Sequence, residues 1–292
     1  MIVVKLQGGL GNQMFQYAIG KVLEHNTGAS LLFDCSFFDD QEKRPGFTPR
    51  QFELGIFNPL FQTASKDTIH SFFVESNSRR LRKNIGLPYK KIYREDVCSF
   101  DVSILSLKGP VYLDGYFQSE NYYAGNEQLV YNLFQFPEIQ NYQSIELINS
   151  MESSTAVSVH FRRGDYVSDA VTGSFHGICS LDYYKQAFQL MDKKIASPHF
   201  YIFSDDIQWV EEQVAGWTHN ITLVKRKNDA PAWLDMMLMS KCRHHIIANS
   251  SFSWWGAWLN NMPGKQVIAP RHWFNNVSIN TNDLVPAAWV RI

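Results

Sequence analysis

A chain of 292 residues, 45% hydrophobic and 14% aromatic, can bury a sizeable core, and its length suits two α/β lobes with a cleft between them rather than one compact domain. Its 27 basic and 28 acidic residues leave a formal net charge of -1, which excludes a global field that would draw it to nucleic acid or an anionic membrane; any anion must be held locally. Cys35, Cys98, Cys179 and Cys242 lie far apart without CxxC spacing, which speaks against a zinc site or a disulfide scaffold and for reduced, buried thiols.

The opening run, residues 1–6, reads as a strand and reaches Gly8-Gly9 too soon to form the apolar core of a secretory signal. After the glycine turn a helix is expected over about residues 12–25 and a strand over 31–34. The rhythm then weakens: residues 35–110 carry Pro45, Pro49, Pro59 and Pro88 and many aromatics without a clear period. The basic run Arg79-Arg80-Leu81-Arg82-Lys83 reads as a solvated helix face ahead of a phosphate or lipid contact. A strand near 111–113 runs into Gly115-Tyr116-Phe117-Gln118-Ser119, a turn rich in groups that suit a sugar. The lobe boundary is expected between Pro137 and Ser154, giving lobes 1–150 and 151–292.

From about residue 156 the expected strands 157–161, 200–203, 221–224, 245–248 and 267–269 alternate with expected helices 181–194, 207–214, 231–240 and 252–261. That is the pattern of a doubly wound, parallel α/β lobe. No stretch approaches the roughly 20 apolar residues of a spanning helix, so the expected location is cytoplasmic, with docking at the membrane periphery left open.

Four constellations could carry chemistry. In residues 157–166 a buried strand runs into His160-Phe161-Arg162-Arg163-Gly164-Asp165, and in open α/β sheets that carboxyl end faces the ligand crevice. Alternation puts Arg162 on the face of His160 and leaves Arg163 to pair with a carboxylate such as Asp165. The second, Gly8-Gly9-Leu10-Gly11-Asn12-Gln13, aims amides at an anion or is a purely structural turn; it is neither a dinucleotide fingerprint nor a nucleoside-triphosphate loop. Third, Asn249-Ser250-Ser251-Phe252 ends a strand and opens a helix, its serines capping the helix or cradling a phosphate, while Trp254 and Trp258 read as core. In the fourth, Phe203-Ser204-Asp205-Asp206, one carboxylate is a helix cap and the other a partner for a guanine edge or a ribose. No Asp-x-Asp pair exists to clamp a metal.

Together these motifs resemble the bacterial α-1,2-fucosyltransferases of glycosyltransferase family 11. The resemblance runs in order along nearly the whole chain, with residues 60–105 uninformative. It implies a GT-B-like architecture of two Rossmann-like lobes, the first on the acceptor side and the second binding GDP-β-L-fucose. It also implies transfer of L-fucose with inversion to the 2-OH of a terminal galactose, on an oligosaccharide or a lipid-linked glycan, with no metal or other cofactor. Carried over by position, His160 and Asp206 resemble guanosine contacts, Arg162 the diphosphate contact, and Ser251 with Phe252 the turn at the β-phosphate. Gly9, Gly11 and Asn12 resemble residues that approach the diphosphate or the acceptor.

The expected donor site thus comprises Gly9, Gly11, Asn12, His160, Arg162, Asp205, Asp206, Asn249, Ser250, Ser251 and Phe252, and the expected acceptor site Gln13, Tyr116 and Gln118. Arg162 and Asp165 are the expected catalytic residues, with Asp165 the first candidate base and Asp169 the second. A non-catalytic carbohydrate-binding protein, suggested by 8 Trp, 13 Tyr and 21 Phe, a fucosyltransferase of another linkage and a hydrolase of the donor are the alternatives.

Overall fold

The computed structural model describes residues 1–42, 44, 46–59, 61–75, 77–95, 98–107, 109–139, 142–164, 169–226 and 230–292. The chain divides into two compact units: Met1–Lys43, Pro49–Phe136 and Ile279–Pro286 form the first, and Arg44–Thr48, Pro137–Ser278 and Ala287–Ile292 the second. A division at 150/151 would fall inside the helix Tyr142–Glu152, and the return of Ile279–Pro286 to the first unit had no signal in the sequence. Asp283 fastens that return by accepting from the Phe100 amide and from Asn121.

In the first unit β1 (Ile2–Lys5), α1 (Leu10–Thr27), β2 (Leu31–Asp34), α2 (Lys66–Phe73), α3 (Asn77–Asn84), β3 (Lys91–Arg94), β4 (Val111–Asp114) and α4 (Glu127–Leu133) follow in order. The sheet runs β2-β1-β4-β3 with every pairing parallel. Val3 and Val4 of central β1 are fully buried. On α1, Gly20 leaves room for Val4, Leu31 and Phe33, which would stand 3.2–3.3 Å from a Cβ there. A helix carrying β-branched bulk at that position could not lie as close to the sheet. Gly28, at φ +65°, closes α1 in the left-handed conformation that glycine adopts without steric cost. The weak period of residues 35–110 resolves into short elements: α3 carries the basic run read as a helix face, while α2 and β3 went unread.

The second unit comprises α5 (Tyr142–Glu152), β5 (Thr155–Phe161), α6 (Ala170–His176), α7 (Leu181–Lys194), β6 (Pro198–Ser204), α8 (Ile207–Val214), β7 (Asn220–Leu223), α9 (Trp233–Lys241), β8 (His244–Ile246), α10 (Ser251–Trp258), β9 (Val267–Ala269) and β10 (Val290–Arg291). Its sheet, β10-β9-β8-β5-β6-β7, is parallel throughout. Central β5 is buried from Ala156 to Phe161, as a strand covered on both faces must be. Val157, Val159, Phe161, Phe188 and Ile202 form its core, with the Phe161 and Tyr184 rings stacked at 3.7 Å. Trp254 and Trp258 are core, as expected, their rings 6.0 Å apart and nearly parallel. Each unit is Rossmann-like, in keeping with the two-lobed GT-B-like expectation. The cysteines are free thiols, but only Cys242 is buried.

Candidate functional site

The register of β5 against β6 assembles the centre of the second unit. Phe161 pairs with Ser204, so the next residues, Arg162 and Asp205, meet one step beyond the strand ends. Arg162 Nη1 donates to Asp205 Oδ2 at 2.6 Å, and the Arg163 amide donates to Asp205 Oδ1 at 2.9 Å. Arg163 turns away: Nε donates to Asp206 Oδ2 at 3.1 Å, and its guanidinium lies 3.6 Å from the centroid of the Trp209 ring. Asp206 Oδ1 in turn accepts from the Trp209 amide and caps α8. The two arginines therefore differ, as alternation required. Arg163 is built into the frame by a carboxylate and an indole face, while Arg162 stands on the edge beside His160. Arg163 pairs with Asp206; Asp165, the carboxylate expected to pair with it, lies outside the described residues. Asp206 is the capping member of its pair.

His160 is only 5% exposed, and its Nδ1 has no hydrogen-bond partner among the described residues. Burial, with help from Arg162 and Arg226 and against the pull of Asp205, lowers its pKa to about 4. The imidazole is therefore neutral at neutral pH. Its ring centroid lies 5.8 Å from that of Phe252, in the first turn of α10, so the arginine edge and this helix start converge on one histidine. Ser250 accepts from the Phe252 amide and caps α10, and Ser251 opens the helix at the positive end of its dipole. Asn249 must be corrected. It is buried, its Nδ2 donates to the carbonyls of His176, Gly177 and Trp273, and its Oδ1 accepts from Cys179, so it ties loops together rather than facing a donor.

In the first unit the glycine turn is organised from within. Gly8 has φ +78°, and a Cβ there would lie 2.5 Å from Asn12 Nδ2, so only glycine fits. Gln13, expected to touch the acceptor, is fully buried; its Nε2 donates to the carbonyls of Gly8 and Gln51, and its Oε1 accepts from the Glu53 amide. That assignment is corrected: Gln13 shapes the turn. The Leu10 amide, at the start of α1, donates to Glu53 Oε2 at 3.0 Å. The helix start thus already holds a carboxylate of the protein itself, raised in pKa chiefly by burial. Asn12 Oδ1 accepts from Gln118 Nε2 at 2.7 Å, which joins the glycine motif to the second turn. Tyr116 is exposed beside it, and Phe117, at φ +53°, occupies a conformation unusual for a bulky residue. Glu95 holds it there by accepting from the Tyr116 and Phe117 amides.

Asp169, the second candidate base, accepts from the amides of Val171 and Gly46 and caps α6. The reading of the sequence missed Glu53, Glu95, Trp209 and Arg226. Arg226 follows β7 and pairs with Asp235, Nε to Oδ2 at 3.0 Å; the strand-end rule used for Arg162 could have found it. The glutamates carried no such signal, because each reaches its turn from another part of the chain.

The family described as glycosyl transferase family 11 matches residues 50–292. An alpha-1,2-colitosyltransferase of Escherichia coli is 33% identical over 295 residues, covering 100% of this chain and 99% of its own. The Escherichia coli O-antigen biosynthesis glycosyltransferase WbnK is 34% identical over 309 residues, covering 98% and 99%. Among solved structures, the fucosyltransferase NodZ from Bradyrhizobium aligns with a TM-score of 0.47 and 14% identity over 87% of this chain and 91% of that one. With a family match over most of its length and full-length relatives above 30% identity, the chain belongs to glycosyl transferase family 11 and is a glycosyltransferase.

Proposed function

We propose that this glycosyltransferase moves L-fucose from GDP-β-L-fucose to the 2-OH of a terminal galactose, on an oligosaccharide or a lipid-linked glycan, with inversion and without a metal, in the cytoplasm. The observation that carries the donor assignment is the buried, neutral His160, whose Nδ1 has no partner among the described residues, at the strand edge shared by Arg162 and the start of α10. A neutral imidazole offers one hydrogen bond to a nucleoside, and a guanidinium with helix amides suits a diphosphate.

In the proposed reaction the acceptor oxygen bonds to C1 of fucose as the bond from C1 to the phosphate oxygen breaks. The electron pair stays with GDP, and the hydroxyl proton leaves to a base. Charge grows on the diphosphate, where Arg162 and the amides near Ser251 stabilise it; preorganised donors of this kind supply about 3 to 4 kcal/mol each. Asp165 remains the proposed base, and Gly9, Gly11, Asn12, Tyr116 and Gln118 the proposed ligand contacts of the first unit.

Incubation of the purified protein with GDP-fucose, with and without lactose, tests the reading. Release of GDP that depends on lactose supports transfer, whereas release without acceptor would point to a hydrolase. The full-length likeness to a colitosyltransferase favours one second reading, a colitosyl donor. Parallel assays with GDP-fucose and GDP-colitose, compared by kcat/KM, decide between the two.

A further inference from the structure

The segment around α3 is unusual for a chain of net charge -1. Between Lys66 and Arg94 stand eight basic residues, Lys or Arg, and two acidic ones, Asp67 and Glu75. Every described residue from Arg80 to Pro88 is exposed. Among them are Leu81, Ile85 and Leu87, at 60%, 59% and 48% exposure, and Phe73 and Val74 just before the helix are exposed as well.

The local backbone explains how these side chains come together. Ile85 N donates to Leu81 O, which continues the helical turn and puts residues 81 and 85 on one face. Gly86, at φ +71°, then reverses the chain: its amide donates to Lys83 O and that of Leu87 to Arg82 O. This pairing closes a helix while bringing the following apolar residue back toward its last turn. Arg80, Arg82 and Lys83 flank the apolar residues on the same short helix, with Glu75 pairing Arg80. Next to it a cavity of about 580 Å³ is lined by Arg79, Arg82 and Lys90; Arg82 and Lys90 donate there to neutral oxygens of Pro88 and Ser71.

A solvated basic helix has no use for three exposed aliphatic side chains at its tip, and an apolar protein contact has no use for this density of positive charge. Both features fit an anionic lipid surface, where the aliphatic residues enter the head-group boundary and the basic ones meet phosphates. We propose that α3 and the turn through Leu87 dock this protein on an anionic phospholipid bilayer. The proposal rests on this segment alone and is independent of the donor and the linkage.

Co-sedimentation of the full chain with vesicles of phosphatidylglycerol and phosphatidylethanolamine, and with phosphatidylcholine vesicles, at low and high salt, is the test. The expected result is binding to the anionic vesicles that weakens with salt. Replacing three of the basic residues, as Arg80→Glu/Arg82→Glu/Lys83→Glu, should weaken it on the order of 100-fold. The apolar variant Leu81→Ser/Ile85→Ser/Leu87→Ser should weaken it at least about tenfold. Lys193→Glu/Lys194→Glu on α7 should bind as wild type, and thermal melting should be unchanged in every variant because the altered side chains are exposed. Equal binding to both vesicle types, no binding to either, or undiminished binding by either α3 variant would overturn the proposal. So would self-association that the apolar variant abolishes in the absence of vesicle binding, which would assign the face to a second copy of the chain.

Discussion

Arg162 and Asp205 are 43 positions apart in the chain and meet at 2.6 Å because parallel strands β5 and β6 end in register. Asp205 fixes the guanidinium from one side and takes the Arg163 amide with its other oxygen, so Arg162 is preoriented. Replacing Arg162 with Ala should lower turnover roughly 100- to 1,000-fold, the usual effect of losing one preorganised donor to a charged transition state. Arg162→Lys should recover little, since an ammonium cannot reproduce the planar fork. Steady-state GDP release alongside a thermal melt checks this; near-native turnover in the Ala variant would eliminate Arg162 as the diphosphate contact.

Gly164 bears on the same pair. A Cβ at this position would stand 2.5 Å from Asp205 Oδ2, closer than atoms can approach, so Gly164→Ala must displace the carboxylate and release Arg162. Loss of a charged hydrogen bond is worth about 1.5 to 3 kcal/mol, and GDP binding by calorimetry should weaken roughly 10-fold or more. Asp205→Asn, which keeps the shape and loses the charge, should fall between Gly164→Ala and wild type. Unchanged GDP affinity in Gly164→Ala would detach Asp205 from the donor site.

What could be read from the sequence divides along physical lines. Strand ends followed by polar residues singled out His160, Arg162 and Asp205, and the structure brings them together at the carboxyl ends of β5 and β6, because parallel strands in register end side by side. Helices 181–194 and 207–214 had enough turns to show a period, and the structure matches them end to end. Gln13 and Asn249 were misread for a shared reason. An amide side chain beside a glycine or serine turn suits a ligand and a neighbouring backbone equally, and only the fold brings in Gln51, Glu53 and Trp273 to use it up. Glu53 and Glu95 were invisible because their partners, Leu10 and Phe117, are 43 and 22 positions away.

The two turns of the first unit separate stability from recognition. Gln13→Ala would strip partners from two carbonyls and one amide, and each buried polar group left unpaired costs about 1 to 3 kcal/mol, so a large fall in Tm is expected. Gly9 differs, since a Cβ there meets no protein atom within 4 Å. Gly9→Ala should therefore leave Tm unchanged and still lower turnover, the signature of a backbone approached by a ligand. Tyr116→Ala and Gln118→Ala should mainly raise the KM for the acceptor. If Gly9→Ala turns over normally, the glycine turn serves the fold alone.

The proposed metal independence gives a prediction of another kind. Arg162 and the start of α10 are the proposed counter-charges for the leaving diphosphate, so exhaustive dialysis against EDTA should leave kcat/KM within about twofold of the untreated enzyme, a change smaller than the loss of any single charged hydrogen bond. Loss of activity that magnesium or manganese restores would count against the proposal.

His160 links the site to the pH dependence of folding. Its pKa falls from 6.5 to about 4 in the folded protein, so the native state resists protonation that the unfolded chain accepts. The stability it contributes is complete above about pH 6.5 and is lost as the pH falls toward 4. Asp235 acts in the opposite sense over an overlapping range. Burial raises its pKa from 3.8 to about 7 against the pull of Arg226, so its contribution is complete at low pH and lost as the pH rises toward 7. The two tend to cancel in wild type, and the difference between variants is the informative quantity. His160→Gln, which removes the titration, should make stability fall less steeply between pH 6.5 and 4 than in wild type; Asp235→Asn should make it fall more steeply over the same range. Urea denaturation at closely spaced pH values measures both slopes. Parallel wild-type and His160→Gln profiles would mean that the imidazole is already protonated in the native state, and with it would go the neutral ring proposed to meet the nucleoside.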